Sequence, residues 1–334
     1  MTDDIITLAH GAGGTATQRL IEEVFASAFN DPMLTRDDAA VLEGPGGSIA
    51  MTTDGFVVSP AFFSGGDIGK LSVCGTVNDL ACMCARPLYL TCSFIIEEGF
   101  RVADLKLIAG SMARTAKEAG VHIVAGDTKV TARGQCDGIF IVTAGVGSIY
   151  GVATGGSMAR EGDAVIVTGD IGRHGCAIML ARREFGITAD ISSDCAPLWS
   201  LVDGMIETGA ELHTIRDATR GGVGTVLNEI ATSSGVCVEI DEQTLPVADS
   251  VKGFCGLLGL DPLYMACEGR MVVFAPLSSA GSLLEAIKRS EYGTNAAVIG
   301  KVTRRYDGRV IVLTATGGER LLAQPTGELL PRIC

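Results

Sequence analysis

Short apolar runs of strand character alternate with stretches of helical period along almost the whole chain, and that alternation restricts the fold to mixed layers of helix and sheet. In the first half "SIAMTTD", "LYLTCSFIIEE", "VHIVAGD" and "GIFIVTAGVGSI" read as strands. The helices between them are "TQRLIEEVFASAF", with Leu20, Ile21, Val24, Phe25 and Ala28 on one face, a stretch from about Gly66 to Ala81, and "VADLKLIAGSMARTAKEAG". A change of composition at "YGVATGGSMAREGD" marks a boundary. Beyond it the style repeats: "AVIVTGD" and "VCVEID" are strand-like, while "CAIMLARREFG", "LWSLVDGMIETG", "GTVLNEIATSSG", "VKGFCGLLG" and "SLLEAIKRS" are helical. At 334 residues the chain has room for two domains, each burying its own core. The expected architecture is α+β, mixed α/β, with domains at 1–152 and 153–321 and a terminal segment at 322–334.

That terminal segment ends "LLPRIC". Pro325 and Pro331 each remove a backbone donor and bias the preceding residue towards extended backbone, so 322–334 reads as an extended strap with a reach of about 40 Å. Position alone would make it a frayed terminus. The bare Cys334 at its end asks for another explanation.

A net charge of −13 with no basic stripe excludes a nucleic-acid partner; a polyanion such as ATP would need divalent cations to bridge it to the acids. The eleven cysteines sit among apolar neighbours, as at Cys74, Cys92 and Cys176, and only Cys82 and Cys84 are close-set. With no CxxC pair and four scattered histidines, a structural zinc site is not expected, and most thiols read as small core residues. The acidic N-terminus "MTDDIITLAH" is no signal peptide, and no apolar run approaches a membrane span, which points to the cytoplasm.

"SGGDIGKL" imitates a phosphate-binding loop but fails it, with Ser64 where glycine is needed and Leu71 where a hydroxyl is needed. The aspartates carry more. Asp54 and Asp127 end strand-like runs, Asp79 lies in the apolar helical stretch "TVNDLA", and Asp38 lies in "RDDAAVL". Each could cap a helix or close a turn. Four acids at strand ends and loop mouths in one domain also fit Mg²⁺ ions bridging phosphates. "HGAGG", with His10, Gly11, Gly13 and Gly14, has the backbone freedom to cover a phosphate, though His10 could equally be a capped, structural histidine. Lys129 follows Asp127 by two residues, so an extended backbone points both side chains the same way. "RDATRGGV" places Asp217 and Arg220 at a helix start that attracts anions. Glu268, after an apolar run, is a candidate for burial with a raised pKa, or else a turn glutamate before Gly269.

Taken together, "HGAGG", "GGDIGKL", "GTVNDLA", "AGDTKV", "RDATRGGV", "NEIA", "ACEG" and the terminal "PRIC" resemble the HypE family of hydrogenase maturation factors, in the PurM-like ATP-binding superfamily. The resemblance runs from residue 10 to residue 334, and "PRIC" is its most specific part. It implies a PurM-like fold with an N-terminal ATP-binding domain, a C-terminal α/β domain and an extended tail. It makes Cys334 the substrate: a carbamoyltransferase, HypF, loads the thiol, ATP drives dehydration of the thiocarbamate to a thiocyanate, and a HypC–HypD complex receives the cyanide. It further implies Mg²⁺ on Asp38, Asp54, Asp79 and Asp127. The nucleotide would lie on His10, Gly11, Gly13, Gly14, Asn78, Asp127, Asp217 and Arg220. Lys129 would steady the activated oxygen, Glu268 would assist proton removal, and a homodimer would complete the site. The rival readings are a thiamine-monophosphate-kinase-like phosphotransferase, an aminoimidazole ribonucleotide synthetase-like ligase, and a scaffold that only docks partners. Neither enzyme needs Cys334, and the scaffold, which would dock through its tail, would show no Mg²⁺-dependent ATP turnover.

Overall fold

The computed structural model describes residues 5–12, 15–35, 40, 42, 44, 46–149 and 154–324. Gly13, Gly14, Asp38, Cys334 and the expected boundary at 152/153 lie outside the described residues.

The chain opens with one helical run in three parts, α1 (Thr15–Leu20), a π turn (Ile21–Ala26) and α2 (Ser27–Phe29). The wider turn re-phases the apolar face: Leu20, Val24 and Phe25 are buried as expected, but Ile21 is 41% exposed. β1 (Ile49–Phe56) follows, then a small hairpin of β2 (Phe62–Phe63) and β3 (Gly66–Asp67). Asp67 caps α3 (Ile68–Cys82), its carboxylate accepting the N–H groups of Gly69 and Lys70. Next come β4 (Ala85–Glu97), α4 (Val102–Ala119), β5 (His122–Thr131) and β6 (Ile139–Ile149). α4 stops at Gly120, whose positive φ lets the chain turn into β5. The sheet order is β1-β6-β4-β5; only β4 and β5 are parallel, joined by the α4 crossover.

The second half comprises β7 (Asp163–Val167), α5 (Arg173–Arg182), α6 (Trp199–Ile206), β8 (Thr214–Asp217), α7 (Gly222–Ser234), β9 (Cys237–Asp241), α8 (Asp249–Leu258), β10 (Met271–Pro276), α9 (Ala280–Arg289), β11 (Ala297–Thr303), β12 (Arg309–Leu313) and β13 (Glu319–Leu321). These strands form a seven-stranded sheet, β13-β12-β9-β11-β7-β10-β8, antiparallel except for β12 beside β9. Every residue of β7 is buried, as a central strand covered on both faces requires.

The second half buries two clusters of its own, and a third, larger one is shared between the halves. α3 is apolar nearly all round because it is enclosed nearly all round, by its own sheet and by the second half. One buried cluster runs from Val73, Cys74 and Val77 of α3 to Cys195, Ala196, Leu198 and Trp199. Those last residues end or follow a segment without regular structure, Gly186–Leu198, that crosses from α5 to α6. It is tied down where it meets the first half: Ser193 donates its N–H to the Ser64 carbonyl at 2.8 Å, and a Cβ on Gly65 would strike the Ser193 backbone at 2.6 Å.

Candidate active site

The joint between the halves gathers acids. Asp54, two residues before the end of β1, points to α3, where a Cβ on Gly75 would lie 3.7 Å from its Oδ2. Asp79, one turn further along α3, accepts a hydrogen bond from Thr52 Oγ1 at 2.8 Å. Thr52 and Asp54 share the inner face of β1 because side chains two apart on a strand point the same way. Asp217, the last residue of β8, faces the end of α3, where Cys82 Sγ stands 3.9 Å from its Oδ1. Glu268 reaches the same place from the turn before β10; it is 2% exposed, and its Oε1 has no hydrogen-bond partner among the described residues.

Electrostatics ties the four together. Burial pushes the Asp54 carboxyl up, against the pull of Arg220. Asp79 is raised by burial and by Asp54, with the Thr52 bond and the Arg216 and Arg220 guanidinium groups opposing. Asp217 is pushed up to about 6 by burial and by Asp79. Glu268 is held well above the carboxylate range by burial first, then by Cys195, Asp217, Asp194 and Asp54. Among the described residues no three acidic, histidine or cysteine side chains form a ready-made metal site, but crowded carboxyl groups suit a hard cation that brings phosphate oxygens of its own.

The remaining expected residues fall elsewhere. Lys129 Nζ lies 3.0 Å from Asp127, both side chains pointing outward from β5 as the two-residue spacing predicts. The strand order sets them at the opposite edge from β1 and on the opposite face from Asp54, about 14 Å away at strand spacing. Within one chain Asp127 therefore shares no cation with Asp54 and Asp79. Asn78 is committed to the joint rather than free for a nucleotide. It is 2% exposed, its Nδ2 donates to the carbonyls of Ala196 at 3.1 Å and Glu268 at 3.4 Å, and its Oδ1 accepts the Leu198 N–H at 2.8 Å. His10 is buried, its Nδ1 accepting the Thr7 N–H at 3.0 Å, which makes it a capping histidine. Gly11 packs directly on β5, where a Cβ would meet Val130 N at 2.8 Å. Arg220 is exposed beside the start of α7, which opens through Gly221 and Gly222 at positive φ. A cavity of about 580 Å³ opens between the first helical run and the sheet, walled by Phe25, Phe29, Phe94 and Cys92 and reaching Asp127.

Residues 36–149 match the family of AIR synthase related proteins, N-terminal domain, and 160–313 the corresponding C-terminal domain. The carbamoyl dehydratase HypE of Rhodobacter capsulatus is 48% identical, the match covering 100% of this chain and 99% of that protein. This chain belongs to the HypE family. A crystal structure of HypE in complex with ATP superposes with a TM-score of 0.94 at 44% identity, covering 98% of this chain and 99% of the other. HypE in a HypE–HypF complex superposes at 0.81 with 48% identity, over 92% and 99% of the two chains. A thiamine-monophosphate kinase from Stenotrophomonas maltophilia, at 19% identity and a TM-score of 0.67, shares the fold alone. No helix among the described residues of this HypE family member is long and apolar enough to cross a membrane.

Proposed function

We propose that this chain dehydrates a carbamoyl group carried on Cys334 to a thiocyanate, coupling the loss of water to conversion of ATP into ADP and phosphate. The observation that carries the reading is Glu268, a buried carboxyl group with one oxygen unpartnered at the rim of three further acids. An amide oxygen is a poor leaving group, so ATP must phosphorylate it before it can depart. Asp54, Asp79 and Asp217 would hold Mg²⁺, whose chemistry is to neutralise charge on the triphosphate. Arg220 adds a cation at the same mouth. Once the oxygen is phosphorylated, two nitrogen protons leave as the C–O bond breaks, and Glu268 is placed to accept one of them. Burial supports this role by keeping water from the reacting carbon.

The length of the tether supports Cys334 as the substrate. Tyr264, four residues before Glu268, donates its hydroxyl to the Ala323 carbonyl, and the ten residues beyond Gln324 would span up to about 33 Å when extended. The cavity behind Asp127 offers apolar and aromatic walls for the base of the nucleotide. A homodimer would account for Asp127 and Lys129. The outer face of the first sheet exposes Ile49, Met51 and Val142, and a second copy packed there could bring one chain's Asp127 and Lys129 to the partner's acids. HypF would load the thiol and a HypC–HypD complex would unload it, in the cytoplasm. No observation favours a phosphotransferase acting on a small molecule.

The test supplies the protein with HypF, a carbamoyl donor, Mg²⁺ and ATP, and weighs the C-terminal peptide. The expected result is carbamoylation of Cys334 followed by loss of one water, with Cys334→Ala unmodified though still binding nucleotide. Modification at another residue, or carbamoylation that persists in the presence of ATP, would refute the proposal.

A further inference from the structure

Glu268 lies in a turn belonging to no helix or strand, so no backbone ladder fixes it. The turn is pinned on either side by Ala218, which pairs with Cys267 and Arg270, and its middle is held by Asn78 and by the crossing segment. Asp194 Oδ1 accepts the N–H of Glu268 at 3.4 Å and its Oδ2 accepts the N–H of Gly269 at 3.3 Å, so one carboxylate spans both amides. The Glu268 carbonyl is taken in turn by Asn78 Nδ2 at 3.4 Å and by the Ala196 N–H at 3.5 Å. The backbones touch, since a Cβ on Gly269 would fall 1.8 Å from the Asp194 carbonyl oxygen.

The Asp194 side chain has no solvent exposure, and its nearest cation, Arg270, stands 3.8 Å away. Arg270 is itself anchored, its Nε donating to the Asp170 carbonyl at 3.0 Å and one terminal nitrogen to the Gly269 carbonyl at 2.6 Å. Asn295 Nδ2 and Arg173 Nε hold the Asp170 carboxylate. A buried carboxylate contributes little to stability that a well-packed neutral group would not match. What this one does uniquely is grip two successive amides of the turn that carries Glu268, with its charge balanced from the far side by Arg270.

We propose that Asp194 is a positioning residue for Glu268, a clamp on the backbone that sets the carboxyl group at the mouth of the acid cluster. The proposal rests on Glu268 taking a proton in the dehydration described above. Asp194→Asn keeps the shape but turns an N–H donor towards one of the two amides. Single-turnover dehydration of pre-carbamoylated protein at saturating Mg-ATP is expected to slow roughly 10- to 100-fold, as small misplacements of catalytic groups do. ATP affinity should stay at the wild-type value. The deciding measurement is the double variant: Asp194→Asn with Glu268→Gln should be no slower than Glu268→Gln alone, because a clamp acts only through what it holds. Losses that multiply, a wild-type rate for Asp194→Asn, or a loss confined to ATP affinity would each overturn the clamp while leaving Glu268 as the base. A wild-type rate for Glu268→Gln would overturn the role of Glu268 and the clamp with it. Should Asp194→Asn not fold, Arg270→Lys, which keeps the charge and loses the fork, must give the same split and the same non-additivity.

Discussion

Asp217 shows what it costs a folded protein to keep acids together. Its carboxyl is raised to about 6, so the folded chain holds a proton there that the unfolded chain has already lost at that pH. Stability from this group therefore falls as pH rises from the ordinary aspartate range through about 6, and stays low above it. Asp217→Asn should make the nucleotide-free protein more stable at pH 7, by at most about 3 kcal/mol, with the advantage gone by about pH 4. Denaturant titrations at the two pH values check this, and a variant less stable at pH 7 would contradict it. Asp54→Asn and Asp79→Asn should weaken Mg-ATP binding by tenfold or more, on the scale of one lost carboxylate ligand (roughly 10-fold per 1.4 kcal/mol). Calorimetry showing unchanged affinity in both would assign them to structure alone. The sequence exposed Asp54 and Glu268 because they close apolar runs, Asp79 because it interrupts an apolar helical stretch, where a buried carboxyl group needs a reason, and Asp217 because it stands at a helix start that attracts anions. Asp194 carried no such signal, since its segment has no period and its partners lie 74 and 75 residues away.

α3 is the element on which the acids depend. Its sheet-facing side carries Gly75, Thr76 and Asp79, three contacts with β1 and β6: Gly75 admits the Phe56 ring, Thr76 bonds the Thr143 hydroxyl at 2.5 Å, and Asp79 bonds Thr52. A Cβ on Gly75 would stand 2.7 Å from the Phe56 ring, so Gly75→Ala must push the helix away from the sheet and part Asp79 from Asp54. The expected cost is about 1–3 kcal/mol, with a matching loss of Mg-ATP affinity; a variant that loses stability but binds normally would show that the helix seats elsewhere. Periodicity placed this helix, most of the long strands and nearly all the helices of the second half to within a few residues. It mistook the first helical run, where a π turn swings Ile21 out of the apolar face. Nor could it give the strand order, which alone decides that Asp127 and Lys129 stand at the far edge from Asp54.

At the scale of the molecule, the shared core makes two sequence domains into one cooperative body. We expect a single calorimetric transition, and expect Asn78→Ala to cost roughly 2–4 kcal/mol of stability because the Ala196 carbonyl and the Leu198 N–H lose their side-chain partner and the Glu268 carbonyl keeps only the Ala196 N–H. Two separated transitions in the wild-type protein would contradict the common core. Motif spacing located the joint only indirectly, by naming residues on both sides of it; the crossing segment that seals it has a sequence no pattern distinguishes from a loop. The crowding of acids at that seam also makes the empty site a store of hydrogen ions. Near pH 6 Asp217 still holds part of its proton, and a divalent cation arriving with a nucleotide favours its charged form. Loading should therefore acidify the solution. The heat of Mg-ATP binding will differ between buffers of high and low ionisation enthalpy at the same pH, and that difference will shrink in Asp217→Asn. Mg-ATP would thus register first as a change in the protein's own proton inventory.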